Sequence, residues 1–220
     1  MNPRKWSNRE IKNIVNLPLL NKTVLNLSGW DDSDKEGKQY REYFTGSKSY
    51  SISRYQKDNV RSVDGCTLII DLENIEASDL SETFDIVFTH TVLEHVYDLK
   101  SAFKIMRILS NKYIVGVVPM VNVVHWEVNS YQDYWRFTPH GVNKCLEDID
   151  YELIHLKVGP KTDLYQYIVF VGIKKGLTQE GEFQNLIVEE FESGEVGLIS
   201  FRKLLFVIFV RIMIRLRLLN

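Results

Sequence analysis

Three unbroken apolar runs constrain this chain more than any other feature: CTLIIDL at 66–72, FDIVFTH at 84–90 and KYIVGVVP at 112–119. None of them alternates polar with apolar residues, so none suits a sheet with one face in water. Short runs of this kind are what parallel strands buried on both faces require. TVLNLS (23–28) predicts a strand ahead of them, and SYSISRY (49–55) alternates like another. Two consecutive strand patterns follow later, YELIHLKV (151–158) and YQYIVFVGIKK (165–175). Strands that alternate with helices and end in a strand pair predict an α/β sheet, mostly parallel, with an antiparallel edge.

The helical patterns fall between the strands. Ser7-x-x-Glu10 is a capping-box pattern and predicts a helix over about 8–16, ended by Pro18. EGKQYREYF (36–44) predicts a second helix. VLEHVYDLKSAFKIMRILS (92–110) predicts a third, broken near Asp98, which can cap its second half. Thr138-Pro139 is a cap followed by proline at the first helical position, and predicts a helix to about Ile149.

A formal net charge of −2 argues against nucleic acid as a partner. The two cysteines, Cys66 and Cys145, lie far apart without a CxxC, so neither a disulfide framework nor a metal site is expected. No apolar stretch in MNPRKWSNRE marks a signal peptide, and a cytoplasmic location is expected. The chain divides into an α/β domain over 1–176, an acidic linker over 177–200 and a basic amphipathic helix over 201–220. In that last segment Arg202, Lys203, Arg211, Arg215 and Arg217 stand without a single acid, and Leu205, Ile208, Phe209, Ile212, Leu216 and Leu219 share one helical face. Its longest uncharged run, 204–210, is far shorter than the roughly 20 residues of a membrane span. Such a helix suits peripheral binding to an anionic membrane surface, and equally docking on a protein partner.

One region carries a family pattern. Phe84-Asp85, Val92-Leu93-Glu94-His95-Val96, Asp98, Arg107, Leu109, Pro119 and Asp133-Tyr134-Trp135-Arg136-Phe137-Thr138 occur in that order and spacing. In these residues the chain resembles the class I S-adenosylmethionine-dependent methyltransferases, and most of all the small bacterial type found with surface-polysaccharide genes. The resemblance covers roughly 20–175. It implies a Rossmann-like seven-stranded sheet with a reversed last strand, and S-adenosylmethionine as cofactor. It also implies a methyl acceptor that is a glycan or small-molecule precursor of the cell surface, and the basic tail fits a lipid-linked acceptor at the inner face of the cell membrane.

The same resemblance implies positions for the cofactor. The loop after the first strand, with Asn26, Ser28 and Gly29, would pass its methionine part. Asp71 and Leu72 would lie near the adenine, Thr89, His90 and Thr91 would close over the cofactor, and His95 would stand among its contacts, with an orienting or packing role or proton transfer open to it. The sequence departs from the family at that first loop. The pattern D-x-G-x-G reads Asn26-Leu27-Ser28-Gly29-Trp30 here, and a serine replaces glycine without strain only where φ is negative. The second strand ends in Ser53-Arg54 where the family carries an acid for the ribose, leaving Asp58, Asp31 or Asp32 as substitutes.

Methyl transfer to a hydroxyl needs alignment and a base. His155 falls in a strand and reads as structural; His140 lies in a first helical turn. His125 lies in MVNVVHWEVNSYQDY, the loop where an acceptor should enter, and is the expected base, with Asp133 as the next candidate. Trp126, Tyr131, Tyr134 and Trp135 are expected either to stack on a sugar ring or simply to pack the loop down. Arg136 is expected either to bind an acidic group of the substrate or to pair with Asp133 or Glu94 and hold the loop. The competing expectation from the eroded first loop is a catalytically degenerate fold that serves as a binding or scaffold subunit.

Overall fold

The computed structural model describes residues 2–15, 19, 21–55, 66–77, 80–128, 131–160, 166–179, 181 and 183–191. Asp58, Pro18 and the expected amphipathic helix 201–220 lie outside them. Seven strands form one sheet: β1 (Thr23–Asn26), β2 (Ser49–Arg54), β3 (Cys66–Ile69), β4 (Phe84–His90), β5 (Ser110–Pro119), β6 (Tyr151–Gly159) and β7 (Tyr167–Lys174). Their order is β3-β2-β1-β4-β5-β7-β6. The first five strands pair in parallel, and β7 runs antiparallel to both β5 and β6. This is the α/β sheet with a reversed last strand that the sequence predicts.

Side chains alternate across the sheet, which splits the core in two. Leu25, Val87 and Ile114 face α2 (Leu99–Leu109) and α3 (Pro139–Glu147), packing with Phe103, Met106 and Leu146. Val24, Phe88 and Val115 face α1 (Pro3–Ile14), packing with Trp6, Ile11 and Phe44. Asp98 caps α2 by accepting from Ser101 N at 3.1 Å, and Thr138 caps α3 by accepting from Gly141 N at 3.1 Å. The expected break at Asp98 is present, with a 3₁₀ turn at Leu93–His95 ahead of it.

Two helices differ from expectation. α1 begins at Pro3, not near residue 8, because Asn2 caps it by accepting from Arg4 N and Pro3 occupies the first position. Ser7 is therefore inside the helix, its hydroxyl turned to Arg4 O. The expected helix over 36–44 shrinks to a 3₁₀ turn at Tyr40–Glu42. The Asp34 carboxylate accepts from Glu36 N at 2.7 Å and Lys38 N at 2.9 Å, and Gly37 lies at φ 90°, so a turn outcompetes the helix. The stretch expected as an acidic linker packs on the domain as far as it is described. Phe183 is buried in the α1-side core. Leu156 N donates to Ile187 O and Glu189 N to Leu156 O, covering part of the edge strand β6.

Candidate functional site

The strand order reverses between β1 and β4, and in open α/β sheets ligands bind at the carboxyl ends beside such a point. The loop leaving β1 is held by its own side chains. Asn26 turns toward the α1 face and its Nδ2 donates to Asp32 Oδ1 at 2.8 Å. Tyr50 Oη donates to the same oxygen at 2.7 Å. Arg41 N and Nε both donate to Asp32 Oδ2 at 3.1 Å. Asp32 is 1% exposed and its acceptor capacity is taken, so it does not stand in for the missing ribose acid. Asp31 is exposed and accepts from Ser33 N.

Gly29 is required by this packing. A Cβ there would lie 2.4 Å from Asn26 Nδ2. Ser28 takes φ 55°, the left-handed region, and its N donates to Ser53 Oγ at 2.9 Å. The serine thus stands where the backbone favours glycine, so the condition of a negative φ for a strain-free replacement is not met. Trp30 also has positive φ, at 48°, and is 57% exposed, so its ring is not packed into the core beneath the loop.

At the end of β2 Ser53 is spent on Ser28, and Arg54 follows with a buried Nε that has no partner among the described residues. Asp71 lies just past β3 and accepts from Glu73 N at 2.9 Å. Leu72 is buried in the core on the α2 side. Thr89 is fully buried with an unpartnered Oγ1. His90 points to the other face, where Ser7 Oγ lies 3.0 Å from its Nε2 and Arg4 Nη1 2.5 Å from its Nδ1. Burial and then the Arg4 charge push its pKa well below the ordinary value, so it is neutral.

The second half of the site is the loop after β5. Asp133 accepts a bidentate pair from Arg136, at 2.5 Å (Oδ1) and 2.7 Å (Oδ2). Arg136 also donates to Asn122 O, Val123 O and Trp135 O. All five of its N–H groups serve its own loop, so of the two expected roles the structure has the loop clamp. His125 N donates to Asp133 Oδ2 at 2.8 Å, and His125 Nδ1 stands 3.4 Å from the same oxygen. The Arg136 hydrogen bonds hold the Asp133 carboxyl down at about 2.

His95 donates from Nδ1 to Gln132 O at 2.6 Å, with its ring centroid 5.0 Å from that of His125 and 4.5 Å from that of Tyr131. Trp135 Nε1 donates to Val96 O, and its ring stacks on Tyr97. Trp126 is 61% exposed, and Tyr134 is exposed as well. His140 opens α3 and is exposed. His155 is buried in β6, where its Nδ1 accepts from Ile187 N.

Glu94 enters the sequence reading only as a motif residue and a possible partner of Arg136, and Arg4 does not enter it. Glu94 is 1% exposed under this loop, its carbonyl accepting from Tyr134 N and Trp135 N. Its Oε2 has no hydrogen-bond partner, and burial raises its pKa to about 8. Its place between Leu93 and His95 in a motif was the available signal. Arg4 has no such signal, because only packing brings residue 4 against residues 90 and 91.

No family model matches the chain, and no curated protein sequence matches it. Solved structures do match its fold. A putative S-adenosylmethionine-dependent methyltransferase from Listeria monocytogenes is 13% identical, with TM-score 0.54, over 77% of this chain and 98% of that one. A chain of the complex between the Haloferax volcanii Trm112 methyltransferase activator and the putative methyltransferase matches at TM-score 0.56 and 11% identity, over 82% and 93%. The Burkholderia thailandensis 1,6-didemethyltoxoflavin-N1-methyltransferase, solved with bound 1,6-didemethyltoxoflavin and S-adenosylhomocysteine, matches at TM-score 0.54 and 11% identity, over 79% and 78%. The fold that carries these residues is that of the S-adenosylmethionine-dependent methyltransferases.

Proposed function

We propose that this chain is an S-adenosylmethionine-dependent methyltransferase whose acceptor enters beneath the 122–136 loop. The observation that carries the reading is convergence at one sheet edge. The β1 loop and Thr89–Thr91 flank the point where strand order reverses, Asp71 ends β3 at the same carboxyl side of the sheet, and the His125–Asp133 pair lies on the loop after β5. The residues fit the cofactor in part. The close turn at Ser28-Gly29 and the cation Arg4 suit its methionine end, and Asp71 suits its adenine. At the ribose end the described residues offer Ser53 and Arg54 in place of an acid.

When bound, the cofactor supplies a methyl group on a sulfonium already activated for transfer. The chain's task is then to align the acceptor and take its proton. His125 is the proposed base. Asp133, paired with Arg136 and held ionised, orients His125 through its backbone N–H and its ring. Trp126, Tyr134 and Trp135 offer faces for a sugar or glycan-precursor acceptor. The segment 201–220 is proposed to hold the enzyme at an anionic membrane surface or on a protein partner.

Calorimetric titration with S-adenosylhomocysteine tests the reading directly. Saturable binding is expected. Absence of heat at millimolar ligand, with the protein folded, would sink the enzyme reading and leave a fold without the activity.

A further inference from the structure

Arg4 is a half-buried cation without a counter-ion. Its Nη1 lies 2.5 Å from His90 Nδ1 and 3.4 Å from Tyr40 Oη, and its Nη2 donates to Thr91 Oγ1 at 3.2 Å. The guanidinium carbon stands 5.9 Å from the centre of the Tyr167 ring. Every one of these partners is neutral. Among the described residues no carboxylate comes within ion-pair distance of Arg4. The nearby acids are already engaged. Asp34 accepts from Tyr43 Oη, Glu36 N and Lys38 N, and Glu94 is buried, with burial raising its pKa to about 8. A guanidinium withdrawn from water among neutral groups is costly unless an anion joins it.

The cation also has a particular place. Thr91 follows the carboxyl end of β4, Tyr40 belongs to the loop after β1, and Tyr167 opens β7. These three meet at the sheet edge where the strand order reverses. In many α/β folds a helix follows β1 and its free N–H groups meet the anionic part of the ligand. Here residues 27–44 contain only the 3₁₀ turn, and the Asp32 and Asp34 carboxylates take the amides of Arg41, Glu36 and Lys38. The loop offers an anion little, while α1 brings a charge to the same rim.

We propose that Arg4 receives the carboxylate of the cofactor's methionine moiety, held in position by His90, Thr91 and Tyr40. This rests on the methyltransferase reading and assigns α1 a place in its cofactor site. An acceptor bearing a carboxylate would present the same chemistry, and the choice of ligands separates the two.

Wild type and Arg4→Ala are titrated with S-adenosylhomocysteine and with 5′-methylthioadenosine, which keeps the nucleoside and thioether but lacks the amino acid. Loss of one charge-assisted contact is expected to weaken S-adenosylhomocysteine binding about tenfold or more. The affinity for 5′-methylthioadenosine is expected to change by less than about twofold on that same scale. Arg4→Lys should fall between wild type and Arg4→Ala, and Arg4→Gln carries the comparison if the alanine variant does not fold. Equal loss of both ligands would make Arg4 a prop for the loop, and the proposal fails. Unchanged S-adenosylhomocysteine binding in Arg4→Ala overturns it too, and turns attention to the acceptor. A wild type that binds neither ligand removes the methyltransferase reading itself.

Discussion

At the scale of single residues, the loop after β1 is built from side-chain hydrogen bonds where related nucleotide folds rely on glycines. Asn26 and Asp32 hold each other at 2.8 Å, and Gly29 is the one glycine that this contact demands. Gly29→Ala would drive a methyl group into the Asn26 amide, which Asp32 keeps from moving. We expect destabilisation of about 1–3 kcal/mol, measured by urea unfolding. Wild-type stability in Gly29→Ala would show that Asn26 can yield.

Glu94 gives a second residue-scale prediction. Its pKa is about 8 in the fold against an ordinary 4.5, so the native state holds a proton that the unfolded chain has released. Its contribution is full below about pH 4.5 and is lost as pH rises toward about 8, at about 1.4 kcal/mol per pH unit. Glu94→Gln, which stays neutral, should lose less stability than wild type over that interval. Parallel pH–stability curves would refute the assignment.

At the scale of elements, the 122–136 loop is held chiefly by one clamp. Arg136 binds Asp133 and three carbonyls of the same loop, and the Asp133 carboxylate in turn fixes His125 N. Arg136→Met should keep most of the packing and lose the whole fork. Hydrogen exchange should then accelerate across 122–136 while β4 and β5 stay protected. Uniform acceleration would mean the clamp supports the whole domain. The same principle of local polar competition explains why 36–44 is not a helix. Tyr40 and Phe44 have the right spacing, but Gly37 turns at φ 90°, Asp34 N donates to Lys38 O, and the Asp34 carboxylate ties the amides of Glu36 and Lys38 into that turn.

At the scale of the whole molecule, binding is proposed at two places on one chain. The α/β domain presents its candidate site at one sheet edge. The segment 201–220, outside the described residues, concentrates positive charge and apolar side chains. Among the described residues no helix is long and apolar enough to cross a membrane. Full-length protein is expected to float with anionic vesicles, and a 1–200 truncation to remain at the bottom of the gradient. Failure of both to float would assign 201–220 to a protein partner.

The strands were legible in the sequence because a strand buried on both faces leaves a continuous apolar run, and three such runs are present. The Asp98 and Thr138 caps were legible because a cap is a local hydrogen bond between residues three apart. The aromatic loop and its histidine were legible as composition, though not as geometry.

What the sequence determined by itself is therefore strand burial, the starts of α2 and α3, and the order of elements that selects a mostly parallel sheet. The tertiary structure decided the rest. It brought Arg4 to His90 across 86 positions, spent Asp32 on Asn26, Tyr50 and Arg41, and buried Glu94 beneath Tyr134 and Trp135. Charge and polarity can be read from a residue's identity. Whether that charge is paired, saturated or stranded depends on partners that only the folded chain places beside it.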